Sequence, residues 1–528
     1  MFIPYLGNSH LFDWDEINFA ESAREMLVSG NFLTVTIDYE PFWEKPPLFI
    51  WFQALSMAVF GVSEFAARLP NAICGILTLL IVFEIGRKLY STRFGFFWGL
   101  IYTASFLPFF FFKSGIIDPW FNLFIFLSIY YLVKYIDIPK ILPAILSASF
   151  AGLAVLTKGP AAVVIIALSF LVYLIFVRFK IKFKFIHIPL YILVFTFVGG
   201  FWFLLQILNG NYQLMVDFIQ YQIRLLTTED AGHGGPFFYH FIVLFFGVAP
   251  ASILAISSFR RSSKYETNQQ KLIHIWMIIL FWVVLIIFSL VKTKIVHYSS
   301  LCYFPLTFLA ARSLFLYDFR RMEFQLWKKI LMGINFFFLS IPVAILPFFH
   351  RFKDRIIESG IIKDKFAAGN LMADVDWPMW ITYFSITSFI ALIIILFRSK
   401  WHLDAFKIVA ICFIYISFNF FTIITVVPRI EQYSQNAAIE FFKKLEDKDV
   451  YVFPLGHKSY AHLFYSKKPL FEERINWNQN LFMTGNSNKD VYVIMRNDRA
   501  NKYIEHYPLL EILYEKNGFV FGLVKKIK

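Results

Sequence analysis

The sequence predicts a polytopic α-helical membrane protein with a small C-terminal α/β domain outside the bilayer. Three observations carry that expectation. The 528-residue chain is 58% hydrophobic and only 16% charged, with a mean hydropathy of +0.60, too little polar surface to cover a soluble globule of this size. Twelve apolar runs fall between residues 71 and 424. Every second connection between them is rich in Lys and Arg, as the positive-inside rule requires of a chain that crosses and recrosses a membrane.

Residues 1–70 come first and are expected on the outer face, as a loop carrying chemistry and helices lying at the membrane. In FDWDEINFAESAREM, Asp13 and Glu16 have the spacing of a helix N-cap and its reciprocal acid. Ile17, Ala20, Ala23, Arg24 and Leu27 then continue at helical spacing. Such a cap does not need Asp15. In EPFWEKPPLFIWF, two prolines stop the helical pattern and stiffen the chain, so Lys45 can be held beside whatever Asp15 faces. The plainer reading of Lys45, with Trp43 and Trp51, is a membrane-surface anchor.

The twelve runs lie at about 71–88, 95–112, 118–134, 140–157, 160–178, 188–207, 238–257, 272–290, 298–315, 330–349, 380–397 and 405–424. A helix needs roughly 20 residues to cross about 30 Å of hydrocarbon, so several are short. The connections GRKLYSTR, KYIDIPK, RFKIKFKF, FRRSSKYETNQQK, YDFRRMEFQLWKK and FRSKWHLDAFK are basic and are assigned to the cytoplasm. The outer set is then residues 1–70, 113–117, 158–159, 208–237, 291–297, 350–379 and the tail from 425. MFIPYLGNSHLFDWDE has neither the basic start nor the apolar core of a signal peptide. Either Met1 inserts with the first hairpin or a span precedes it, and we expect the second.

From residue 425 the chain becomes more charged. The strand-like VYVFPL and VYVIMRN alternate with the helical patterns QNAAIEFFKKLE and NKYIEHYPLLEIL, which predicts an extramembrane α/β domain over 425–528, either substrate-handling or a lid. GNLMADVDW and GNSNKD read as turns.

Two function classes are excluded early. The net charge of +14 comes largely from membrane flanks, so nucleic acid is not an expected partner. Cys74, Cys302 and Cys412 sit in apolar stretches without metal-site spacing. No compact acidic or histidine cluster is visible, so no metal and no cofactor is expected, with one divalent cation shared by Asp15 and Asp118 left open.

Ionisable groups at a membrane boundary are costly unless they face water, a partner or a ligand. Asp118 lies in FFKSGIIDPWFNLF, Lys158 in AVLTKGPAAVV, and Lys294, His297 and Tyr298 in LVKTKIVHYSSLCYFPL; Arg224 and His233 lie in the long loop after residue 207. With Asp15 and Lys45 they all fall on the predicted outer side. Snorkelling explains any single lysine, but not a shared side opposite to the basic loops. Transfer from a phosphate-linked donor suits such a mixture, with cations neutralising the leaving phosphate and a carboxylate taking a proton from the nucleophile. A transporter or flippase passage would use the same outer charges, but few ionisable residues lie in mid-span to continue it inward.

DWDEINFAESAREMLVSGNF followed by FWEKPPLFIWFQALSMAVFGVSEFAARLPNAICG resembles the membrane glycosyltransferases of the protein O-mannosyltransferase and aminoarabinose lipid A transferase superfamily, the GT-C fold. The resemblance covers roughly residues 4–310, with TKGP and KTKIVHY as weaker support. It implies inverting transfer of a sugar from a polyprenyl-phosphate donor on the outer face of a bacterial inner membrane. The acceptor is a membrane lipid such as lipid A, a glycan or a protein. By resemblance Asp15 is the catalytic carboxylate with Glu16 beside it, and Lys45, Lys158, Arg224 and Lys294 serve the donor phosphate. Asp118, His233, His297 and Tyr298 match further polar positions. It also implies a span before the Asp-Glu motif, which is why we expect an upstream segment.

Overall fold

In lipid a backbone has no water to bond, so apolar runs must satisfy their own N–H and C=O groups as helices. The structure is a computed structural model, and it describes residues 1–42, 44–181, 184–227, 234–260, 266–320, 324–398, 405–468 and 482–526. Helices α1 (Asp15–Ser29) and α2 (Leu48–Phe60) precede α3 (Glu64–Leu89), α4 (Thr92–Ala104), α5 (Phe106–Phe111), α6 (Asp118–Asp137), α7 (Ile141–Lys158), α8 (Ala161–Phe176) and α9 (His187–Leu208). Then follow α10 (Tyr212–Thr227), α11 (Tyr239–Gly247), α12 (Ala251–Ala255), α13 (Asn268–Leu290), α14 (Tyr303–Arg320), α15 (Leu326–Glu358), α16 (Lys365–Leu371), α17 (Trp380–Phe397) and α18 (Ala405–Phe421).

Every predicted run falls on helix, but among the described residues nine helices are long and apolar enough to span, or ten if one bent pair is counted. Three of the twelve expected spans are therefore corrected. Run 95–112 breaks at Ser105, whose hydroxyl donates to Ile101 O and Val248 O, while Asn419 Nδ2 takes the carbonyl of Ala104. Run 160–178 holds a helix of only 16 residues. Run 238–257 bends by 106° between α11 and α12, where Pro250 has no N–H to continue the ladder.

The span beginning at Val296 and α6 run through the middle of the bundle, with 89% and 83% of their apolar windows buried, whereas α9 has 11%. These two central segments carry Asp118, His297 and Tyr298. Helices α7 and α9 touch where Gly152 meets Gly199, since a Cβ on Gly152 would lie 2.8 Å from Gly199 N; small residues let the backbones approach this closely.

Beyond α18 come α19 (Val427–Gln432), α20 (Asn436–Lys443), α21 (Ala461–Ser466) and α22 (Ala500–His506), around a four-stranded sheet. Strands β1 (Thr36–Ile37) and β2 (Glu40–Pro41) form a short hairpin after α1. In the sheet, β3 (Tyr451–Leu455) pairs parallel with β4 (Val491–Arg496), and β6 (Phe519–Val524) runs antiparallel to both β4 and β5 (Glu511–Lys516). NKYIEHYPLLEIL, expected as one helical pattern, is α22 followed by β5, because Pro508 interrupts it. Gly369 and Asn370, expected in a turn, lie in α16, which Asp364 caps by accepting from Phe366 N at 2.9 Å.

This C-terminal unit does not stand apart. Ile17, Ala20 and Phe49 share one apolar core with Phe441, Phe464 and Phe521. Tyr465 Oη accepts from Leu11 N at 2.7 Å, and Gln435 Nε2 donates to Leu11 O at 2.8 Å.

Candidate active site

Arg68 on α3 is buried, and a buried guanidinium is tolerated only when its donors are met. Its Nε and Nη2 donate to the two oxygens of Glu16 at 3.0 and 2.8 Å, Nη1 to Leu6 O and Ser9 O, and Nη2 also to His10 O. Glu16 accepts further from Phe12 N at 2.7 Å and from Gly115 N. The predicted capping box is thus absent: α1 starts at Asp15, its N-cap position is Trp14 with no side-chain cap, and Asp13 bonds Ser459 instead. Glu16, grouped with Asp15 as catalytic by resemblance, is spent on Arg68 and the backbone. Its effect is to fix the preceding residue in space.

That residue is Asp15. Its side chain is 37% exposed, against 4% for Asp118, so of the two acids Asp15 is the one a substrate can reach. His297 Nε2 lies between them, 3.7 Å from Asp15 Oδ2 and 3.8 Å from Asp118 Oδ2, too far for good hydrogen bonds but within strong electrostatic reach.

Asp118 opens α6, with Pro119 next to it; proline suits the start of a helix, and an acid there complements the helix dipole. It accepts from Lys158 Nζ at 2.6 Å. Lys158 ends α7, where a cation is equally favoured. The TKGP motif explains the placement. Gly159 has φ +76°, a conformation suited to glycine, and a Cβ there would lie 2.6 Å from the Phe218 ring. The Lys158 ammonium also sits 5.3 Å from the Tyr298 ring centroid.

Lys45 stands in the Pro-stiffened loop before α2, its ammonium 5.3 Å from the Tyr221 ring. Tyr221 Oη donates to Glu44 at 3.1 Å, and the Arg224 guanidinium lies 5.0 Å from the same ring. Burial pushes the Lys45 pKa down, opposed by the charges of Glu44 and Asp15, reinforced by Lys158 and opposed again by Asp118. Lys45 therefore belongs electrostatically to the Asp15–Asp118–Lys158 group although it comes from a different segment.

The structure brings Asp15, Lys45, Asp118, Lys158, His297 and Tyr298 together, with Arg224 joined through Tyr221. Lys294 is not brought into this group: its ammonium donates to Phe288 O, Ser289 O and Val291 O, carbonyls at the end of α13, and is buried there. Sequence spacing could not distinguish that C-terminal cap from a ligand-facing lysine. His233 lies outside the described residues. Sequence reasoning missed Glu44 and Tyr221; the acid of the Glu-Lys-Pro motif was the available signal for Glu44, and nothing marked Tyr221. Among the described residues no group of three or more His, Cys, Asp or Glu side chains is placed to hold a metal ion.

Residues 44–202 match the family model described as dolichyl-phosphate-mannose-protein mannosyltransferase. An undecaprenyl phosphate-alpha-4-amino-4-deoxy-L-arabinose arabinosyl transferase of Proteus mirabilis is 29% identical over 320 residues, 59% of this chain and 56% of that relative's length. An uncharacterised protein of Aquifex aeolicus is 27% identical over 364 residues, 65% of this chain and 70% of its own. The crystal structure of ArnT from Cupriavidus metallidurans bound to undecaprenyl phosphate superposes with TM-score 0.76 at 17% identity, covering 100% of this chain and 97% of that one. The chain has the GT-C fold of the ArnT-like membrane glycosyltransferases, the superfamily its Asp-Glu and Glu-Lys-Pro motifs resemble.

Proposed function

We propose that the protein is an inverting glycosyltransferase of the bacterial inner membrane. It moves a sugar from a polyprenyl-phosphate donor to an envelope lipid, glycan or protein on the periplasmic face, where the C-terminal domain also lies. One observation carries the reading: an accessible carboxylate, Asp15, stands beside two lysines drawn from two other segments, Lys158 paired with Asp118 and Lys45 half-buried. The similarity to arabinosyl transferases named for undecaprenyl phosphate supports the donor class.

Lys45 and Lys158 hold the donor phosphate, and Asp118 keeps Lys158 in place when the site is empty. Asp15 takes the proton of an acceptor hydroxyl, the acceptor oxygen bonds the anomeric carbon, and the C–O bond to phosphate breaks with its electron pair leaving on the phosphate oxygen. The lysines stabilise that charge as it forms. The proton then passes to solvent. For an acceptor that is already an anion, Asp15 orients the sugar rather than deprotonating the nucleophile.

The test is mass spectrometry of envelope lipids, glycans and glycoproteins from the host, comparing wild type, a deletion and an Asp15→Asn complement. Loss of one sugar from one product, with its polyprenyl-phosphate donor accumulating in both mutants, is expected. Wild-type products from the Asp15→Asn strain would remove Asp15 from the mechanism and move a transporter reading forward. Turnover is expected to survive a chelator; its loss and return with one divalent ion would place a cation between Asp15 and Asp118.

A further inference from the structure

Lys158 closes α7 at the candidate site. Toward the other end of that helix, α6, α7, α8 and α9 surround a cavity of about 280 Å³, with Leu132, Ala144, Ile166, Phe170 and Phe195 in its walls. The basic connections after α6 and α8 lie at this end, on the side the positive-inside rule gives to the cytoplasm.

The walls offer hydrocarbon, and the four polar side chains among them are already engaged. Tyr135 Oη accepts from Lys184 N at 3.2 Å and pairs with His187 Nδ1 at 3.2 Å. Tyr191 Oη pairs with Ser147 Oγ at 3.4 Å, and Ser147 Oγ donates to Ser128 O at 2.9 Å. A sugar or a file of water would leave polar groups unmet here, which is costly, whereas a hydrocarbon chain would not. Val163 and Ala167, both lining the cavity from α8, are exposed on the side of the bundle, so the cavity opens to lipid. Its depth is also informative. Ile141 begins α7 and His187 begins α9; at a rise of 1.5 Å per residue, the lining residues Ala151 and Phe195 lie about 15 and about 12 Å from those ends. That is the depth of one leaflet of a hydrocarbon core about 30 Å thick.

The mouth is basic. Lys140 stands immediately before α7, Arg178 and Lys180 follow α8, and Lys184 precedes α9. All four are exposed, and among the described residues none forms an ion pair. Asp137 is the one acid in the two connections, 137–140 and 177–186. The bond from Lys184 N to Tyr135 ties the last of these cations to the rim of the cavity.

We propose that this cavity binds one acyl chain of an anionic glycerophospholipid of the cytoplasmic leaflet, with the lipid phosphate among Lys140, Arg178, Lys180 and Lys184. Apolar walls one leaflet deep take the chain, and the unpaired cations take the headgroup. The lipid fills the space between α8 and α9, and α9 leads into α10 with Tyr221, so it props the helices beneath the candidate site. The proposal does not depend on the transferase reading. A polyprenyl tail is the rival occupant, but its phosphate belongs with Lys45 and Lys158, about 25 Å along α7 from Ile141, and it leaves the basic mouth without a partner.

The test titrates the full chain in detergent with dioleoyl phosphatidylglycerol and with dioleoyl phosphatidylcholine, read by native mass spectrometry, and adds undecaprenyl phosphate to the same samples. Phosphatidylglycerol is expected to bind about tenfold more tightly than phosphatidylcholine. Lys140→Gln with Lys184→Gln should remove the preference, and Lys140→Arg with Lys184→Arg should keep it. Ala167→Phe, which narrows the opening without touching a cation, should weaken both lipids. Undecaprenyl phosphate affinity should be unchanged in every variant, which also reports an intact fold, and its saturation should leave phosphatidylglycerol bound. Equal affinities for the two lipids in wild type, a preference that survives the paired Gln substitutions, or lipid binding untouched by Ala167→Phe overturns the site. One-for-one displacement of phosphatidylglycerol by undecaprenyl phosphate overturns the occupant and gives the cavity to the prenyl tail.

Discussion

Replacing Glu16 by Gln separates holding the site from doing its chemistry. The carboxylate meets Arg68 through two short charge-assisted bonds, both side chains 2% exposed, and also accepts two backbone N–H groups. The amide keeps one acceptor and turns a donor toward donors, leaving the guanidinium buried without a counter-charge. Breaking a buried pair from one side costs about 3–5 kcal/mol, so the local opening of residues 1–20 should become more than about 100-fold more frequent. Hydrogen exchange of peptides covering 1–30 and 60–75, read by mass spectrometry in detergent, measures it directly. Turnover should fall with protection, because Asp15 shifts when its neighbour does. The double variant Glu16→Gln with Arg68→Met should recover part of both losses relative to Glu16→Gln alone, since it removes the orphaned charge. Unchanged protection with turnover as low as that of Asp15→Asn, and no recovery in the double variant, would refute the positioning role and make Glu16 a chemical participant.

Gly159→Ala should lower donor affinity with little change elsewhere, because its φ of +76° and the Phe218 ring 2.6 Å from a new Cβ force Lys158 to move; the strain is about 1–3 kcal/mol, and titration with undecaprenyl phosphate reads it. Lys294→Met should reduce thermal stability through the uncapped end of α13 while leaving undecaprenyl phosphate affinity unchanged. Burial and the nearby Glu21 push the Glu25 pKa from its ordinary 4.5 to about 8. The folded state then binds a proton that the unfolded chain releases, so stability should decline from about pH 4.5 to about pH 8 and level off above. Glu25→Gln should flatten that decline and stabilise the protein at pH 8 and beyond, as followed by thermal unfolding across pH.

Among the described residues, periodicity and charge located every helix long and apolar enough to span, because burying apolar surface in lipid leaves the backbone no alternative to helix. They failed where one side chain decides the outcome. Ser105 and Asn419 break a run by taking its carbonyls, and nothing local announces a partner more than 300 residues away. Asp15 stood out because the local cap pattern did not need it, and Lys45 because the prolines after it could hold it beside Asp15, although a membrane-surface anchor was its plainer reading. Glu16 and Lys294 each have a structural use in a contact that sequence spacing does not display. The Asp13 and Glu16 cap was a sound local pattern defeated by a tertiary demand, the buried Arg68.

The bonds from Leu11 to Tyr465 and Gln435 and the core shared by α1 with Phe441 and Phe521 also bear on the order of assembly. Contacts spanning more than 400 residues close only after nearly the whole chain has been made. The loop bearing Asp15 therefore stays without its seat during most of synthesis, and the protein matures late, its first residues waiting for its last. A chain cut short before residue 436 would keep its apolar helices yet lack the contacts that seat residues 11–20.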